Sequence, residues 1–139
     1  MRIEEDMKLD YKDVLIRPKR STLGSRKDVD LERGFTFRNY KGPRPMHRHY
    51  RGTPIMASNM DGVGTFEMAD ILATGGIFTC LVKTYSVNEL VSYFDQDDRS
   101  HDPARTEFVA MSIGITDADH KKFRDVYEQV NDRLKYVCI

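Results

Sequence analysis

No uncharged run in this sequence is long enough to cross a bilayer. The longest, Ile71 to Val82, falls far short of the roughly 18 residues that a membrane span requires. The first six residues, Met-Arg-Ile-Glu-Glu-Asp, are acidic and carry no apolar h-region, so nothing reads as a secretory signal. Cysteine is scarce. Cys80 and Cys138 sit far apart in the sequence, inside apolar runs, with no C-x-x-C pair and no disulfide framework, which points to a reducing, cytoplasmic compartment. Net charge is absent as well, with 22 Lys/Arg against 22 Asp/Glu. What is present is a chain of 139 residues, 40% hydrophobic and 32% charged, enough for one core and too apolar for a disordered segment. Membrane protein, secreted mini-protein, collagen and coiled coil are all excluded by composition.

The zero net charge conceals an asymmetry. Residues 12–51 hold 12 Lys/Arg and 4 Asp/Glu, a balance of +8, and the remainder holds 10 and 18, a balance of −8. A basic N-terminal third suits an anionic partner, and equally a solvated arm or one docked on its own acidic body.

Up to residue 53 the chain shows little helical period, and Arg38 to Gly52, rich in Pro, Arg, His and Tyr, reads as loop. A rhythm then sets in. Pro54 to Met60 is a short uncharged run of the kind that forms a buried parallel strand with helices over both faces. Asp61 to Gly64 is a turn. Thr65 is placed to cap a helix with Met68, Ile71 and Leu72 as its apolar positions, ended by Gly75-Gly76. Residues 77–82 form a second strand. Ser86 and Glu89 make a capping box before Val87, Leu90, Val91 and Phe94, spaced along one helical face. Residues 108–115 form a third strand, followed by a helix capped by Thr116 and Asp119 with Phe123, Val126, Tyr127 and Val130 on its apolar face. Tyr136 to Ile139 opens a fourth strand. Strands near 54–60, 77–82, 108–115 and 136–139, separated by helices, predict a parallel α/β sheet. The pattern reads as the first part of something longer, either a flavodoxin-like sheet or a (β/α)8 barrel.

Several positions merit attention as sites. Gly62-x-Gly64-x-x-Glu67 follows a strand and opens a helix, but a carboxylate replaces the third glycine of a dinucleotide fingerprint and would repel a pyrophosphate; a plain βα turn is the better account. Lys83 stands just past the end of the second strand, at the edge where parallel α/β folds bind ligands. Ser58, Asn59, Met60 and Asp61 occupy the same edge after the first strand, as site lining or as hydrogen-bonded core groups. His47-x-His49 resembles half a metal site but has no partner at ligand spacing, so no metal is expected. Cys80 and Cys138 read as inert packing thiols.

Two long motifs are far more specific. Leu9-Asp-Tyr-Lys-Asp-Val-Leu-Ile-Arg-Pro-Lys-Arg-Ser21, continued by Ser25-Arg26-x-Asp28-Val29-Asp30-Leu31-Glu32-Arg33, resembles the N-terminal arm of the IMP dehydrogenase/GMP reductase family. Pro54-Ile-Met-Ala-Ser-Asn-Met-Asp-Gly-Val-Gly-Thr-Phe-Glu-Met-Ala69 resembles its first barrel strand and helix. Phe35-Thr-Phe37 and Tyr136-Val-Cys-Ile139 resemble the reductase branch. IMP dehydrogenases commonly insert a CBS pair between helix two and strand three. Here that connection, Asp95 to Thr106, is too short for a domain, which again favours the reductase.

The resemblance implies a fold and a function. The fold is the first part of a (β/α)8 TIM barrel: a basic arm and loop over residues 1–53 packing on the barrel, then about three βα units and a fourth strand over 54–139. The function is the NADPH-dependent reductive deamination of GMP to IMP and ammonia, in an incomplete chain. The implied cofactor contacts are Ser25, Arg26 and Lys83, and the implied purine-pocket residues are Ser58 and Met60. The family's nucleophilic cysteine, its companion threonine and a K+ site are expected downstream, so this chain alone is expected to be inactive. A homo-oligomer, a tetramer in the family, is implied, with no nucleic-acid or membrane partner. Val82-Lys83-Thr84-Tyr85 departs from the usual His-Lys-His-Tyr, and Met60-Asp61-Gly62-Val63 from Met-Asp-Thr-Val. An IMP dehydrogenase-like chain without its CBS insert and a non-catalytic binding or assembly chain are the alternatives.

Overall fold

The computed structural model of the chain describes residues 6–42, 49–95 and 105–139. Two compact units are present, Met1–Asp30 and Leu31–Ile139. The first holds two single 3-10 turns, Tyr11–Asp13 and Arg26–Asp28, each closed by a reciprocal capping box, Asp10 with Asp13 and Ser25 with Asp28.

Among its described residues the second unit is a five-stranded sheet with three α-helices. Its strands are β1 (Arg33–Thr36), β2 (His49–Ala57), β3 (Ile77–Cys80), β4 (Val109–Ser112) and β5 (Tyr136–Cys138), and its helices are α1 (Phe66–Ala73), α2 (Val87–Asp95) and α3 (Asp117–Val130). Spatial order follows chain order. β1 pairs antiparallel with β2, whereas β2, β3, β4 and β5 run parallel, each joined to the next through a helix. This α/β arrangement is compatible with part of an α/β barrel. Strand β2 crosses the 53/54 boundary that composition suggested, because residues 49–52 pair with β1 instead of forming loop. The register of β2 against β3 shifts between Thr53 and Met56, where Pro54 has no N–H to give to a ladder.

Alternation along the strands gives the sheet two different faces. On one, Leu81, Val109, Met111 and Ile113 pack against Ala69, Leu90, Phe94, Val126, Val130 and Leu134. Burying a side chain the size of Leu81 or Phe94 stabilises the fold by about 1.5–3 kcal/mol. On the other, Phe78, Cys80 and Ala110 meet Tyr50, Phe108, Tyr136 and Cys138. Tyr50 lies edge-on to Phe78, Phe108 and Tyr136 with ring centroids 5.7–6.2 Å apart. No described helix packs on this second face. Ile55 and Met56 are both exposed on β2, where the uncharged run suggested cover on both sides.

Helix faces follow the sequence periodicity in α2 and α3, where Leu90, Phe94, Val126 and Val130 are buried. Helix α1 differs. Its buried residues are Ala69 and Ala73, while Ile71 is exposed, because small side chains let the helix lie close to β3. Phe66 clasps α1 to the turn after β3 and to α2, stacking on Tyr85 at 3.9 Å and on Tyr93 at 4.4 Å. Among the described residues no helix is long and apolar enough to cross a membrane.

Candidate functional site

The carboxyl ends of β2, β3 and β4 carry the polar residues singled out in the sequence. β2 ends at Ala57, so Ser58, Asn59 and Met60 lie beyond it in irregular, exposed backbone. The turn that follows is held by its own main chain: Val63 and Gly64 N–H both donate to the Met60 carbonyl, at 3.0 and 2.9 Å. Gly64 carbonyl in turn accepts from Val82 N–H at 2.7 Å. A Cβ on Gly64 would overlap the Cys80 carbonyl oxygen and come within 2.9 Å of Val82 N. Gly64 is thus required by backbone contact with β3, and Gly62 by its φ of 77°. Neither glycine needs a phosphate to explain it.

Lys83 follows β3 and is exposed. Its ammonium lies 3.5 Å from Asp119 Oδ1, a carboxylate in the first turn of α3. Asp119 Oδ2 also accepts from Thr116 Oγ1 at 2.7 Å, completing the capping box. That hydroxyl, foremost, together with the Thr116 and Gly114 N–H groups and the Lys83 charge, holds the Asp119 carboxyl below the ordinary aspartate value. Lys122, one turn along α3, donates to the Lys83 carbonyl at 2.8 Å. Partial burial lowers the Lys122 ammonium below the usual lysine value, and nearby Lys83 lowers it further. A Cβ on Gly114 would overlap the Asp119 carboxylate and approach Lys83 Nζ to 3.2 Å, so glycine leaves the space that this ion pair uses. Asp119 and Lys122 stand beside Lys83, and sequence reasoning did not place them there. Asp119 was visible only as a cap, and nothing in the sequence relates it to a lysine 36 positions earlier.

Ser25 and Arg26 belong to the first unit. The Ser25 hydroxyl accepts from Lys27 N–H at 3.2 Å, which leaves its own O–H free to donate, and Arg26 is exposed in the turn it caps. The structure brings Ser58, Met60 and Lys83 to one sheet edge. His49 is in β2 with Nδ1 3.2 Å from Thr36 Oγ1, and His47 lies outside the described residues. Among the described residues no three His, Cys, Asp or Glu side chains cluster as metal ligands.

The Cys80 thiol is a poor nucleophile. Burial, followed by the neighbouring Cys138, pushes it up to about 12, so the thiolate is scarce at neutral pH. The exposed Lys83 ammonium, paired with the Asp119 carboxylate on one side, suits an anionic ligand.

No family model matches this chain. Curated relatives do. A GMP reductase of Ascaris suum is 45% identical over 138 residues, 99% of this chain and 36% of that protein. GMP reductases of Escherichia coli O81 and Klebsiella pneumoniae are each 48% identical over 139 residues, all of this chain and 37% of theirs. From end to end, then, this chain is similar to the GMP reductases, and it spans little more than a third of their length.

Proposed function

We propose that this chain is the arm and first βα units of an NADPH-dependent GMP reductase, built on a (β/α)8 barrel and working in the cytoplasm as a homo-oligomer. The observation that carries this reading is the 45–48% identity to curated GMP reductases along the whole chain. In the complete protein Ser25, Arg26 and Lys83 hold the cofactor, and Ser58 and Met60 line the purine pocket. Each group by itself is of a kind that suits a phosphate oxygen: an exposed ammonium at Lys83, an exposed guanidinium at Arg26 and a hydroxyl at Ser25. NADPH supplies hydride when bound; the groups of this chain bind and orient it. The resemblance places the nucleophile, its threonine and a K+ site in other parts of the reductase, and Cys80, a buried thiol, does not match that nucleophile.

The test uses a longer protein containing this sequence. GMP-dependent oxidation of NADPH with release of IMP and ammonia supports the proposal. IMP-dependent reduction of NAD+ would instead assign it to the dehydrogenase branch. No turnover with either pair would leave a binding or assembly chain. The 139-residue chain alone is expected to show no turnover with GMP and NADPH.

A further inference from the structure

The short segment that carries Lys83 is supported from two helices. Just before it, Val82 N–H donates to the Gly64 carbonyl at 2.7 Å. Just after it, the Tyr85 hydroxyl accepts from Phe66 N–H at 3.3 Å while the two rings stack. These anchors fix both ends of the segment against the start of α1. Between them Lys83 and Thr84 form an exposed turn. That turn is held from the other side, by α3. Asp119 and Lys122 are three residues apart in α3 and so project from one face of it. Asp119 pairs with the Lys83 ammonium, and Lys122 Nζ donates to the Lys83 carbonyl at 2.8 Å. One helix face therefore grips Lys83 by its side chain and by its main chain.

We propose that Lys122 is a positioning residue for the NADPH site, acting on the cofactor through the Lys83 carbonyl by fixing the peptide from which the Lys83 side chain extends. This rests on the reading of Lys83 as a cofactor contact. A lysine ammonium is a point charge on a flexible four-carbon stem, with no direction of its own. Its exposed pairing with Asp119 holds it only weakly. A small rotation of the Lys83 peptide would therefore carry the ammonium away from a bound phosphate. A hydrogen bond from a charged donor to the carbonyl opposes that rotation, and such bonds are stronger than neutral ones.

Lys122 is suited to this task where Lys83 is not. Lys83 is exposed, and Lys122 is half-buried. Burial and the Lys83 charge work against the Lys122 ammonium; Asp119 on α3 and Glu89 on α2 work for it. With Nζ directed at main chain, Lys122 supports the cofactor contact and is not itself one.

The experiment is a double-mutant cycle in a longer reductase containing this chain. Its readout is the dissociation constant of NADPH, followed by the cofactor's own fluorescence with no GMP present and no turnover. Lys122→Met should weaken NADPH binding about tenfold. Lys122→Arg, which restores a cationic donor, should recover most of that loss. In the Lys83→Met background Lys122→Met should change nothing further, because the side chain it places is gone. A loss that persists in full in that background, or that falls equally on GMP affinity, would overturn the proposal: Lys122 would then touch the cofactor directly or serve only the fold. Unchanged NADPH affinity in Lys122→Met, with a loss in Lys83→Met, would also overturn it and would leave Lys83 standing as a cofactor contact. Unchanged affinity in Lys83→Met would remove Lys83 itself from the cofactor site, and the role of Lys122 with it. Should Lys122→Met fail to fold, Lys122→Gln takes its place; this neutral donor should give a smaller loss with the same dependence on Lys83.

Discussion

Lys83 Nζ stands 3.5 Å from Asp119 Oδ1, so the end of β3 is tied to the first turn of α3 by opposite charges one βα unit apart. The pair is exposed enough on the lysine side to add little stability. Its value is positional. In a longer reductase containing this chain, Lys83→Met should lower kcat/KM for NADPH by about 1–3 kcal/mol and leave the KM for GMP unchanged. Asp119→Asn should give a smaller loss in the same parameter, since Lys83 remains but is less well placed. Steady-state kinetics with each substrate varied in turn checks both. A loss that falls on GMP would remove Lys83 from the cofactor site.

Arg26 gives a second kinetic test. An exposed guanidinium in a basic stretch suits the 2′-phosphate that distinguishes NADPH from NADH. Arg26→Ala should cost about 1–3 kcal/mol in kcat/KM with NADPH and much less with NADH. Equal losses with the two cofactors would exclude contact with the 2′-phosphate.

Acid should loosen α2 and α3 first. Glu89 and Asp119 are both held below their ordinary values, chiefly by the Ser86 and Thr116 hydroxyls that they accept from. A carboxyl with a depressed folded value adds stability above its unfolded value, and that stability is lost as pH falls through the folded one. The loss should begin below about pH 5 and grow toward about pH 3, given unfolded values near 4. Urea midpoints measured across that range should fall less steeply for Glu89→Gln and Asp119→Asn than for the wild type.

Two glycines in the turn after β2 should respond differently to alanine. Gly64→Ala drives a methyl into the Cys80 carbonyl, main chain against main chain, and should cost about 1–3 kcal/mol or more. Gly62→Ala meets no atom within 4 Å and carries only the left-handed backbone penalty, about 1–2 kcal/mol. Chemical denaturation of the two variants should rank them in that order.

What the sequence disclosed is what depends on neighbours a few residues apart. The Ser86–Glu89 and Thr116–Asp119 boxes are i to i+3 features, and both form as their spacing indicates. β3 and β4 fall within apolar runs that composition alone picks out. Strand β1 was hidden because Arg-Gly-Phe-Thr has no alternation; it exists by pairing with residues 49–52. The apolar face of α1 was misjudged because its contact with β3 selects small residues over large ones. Lys83 with Asp119, and Met56 with Cys80, are long-range meetings that only the order of strands creates.

The hydrogen bond from Val82 N–H to the Gly64 carbonyl has a mechanical consequence. It makes the turn after Ser58–Met60 and the residue before Lys83 a single bonded rung. The backbone after β2 and the backbone after β3 are therefore tied to each other by main chain alone. Because no side chain is the go-between, side-chain substitutions along the edge leave the linkage intact. Only a residue at position 64 that forces the two backbones apart would sever it.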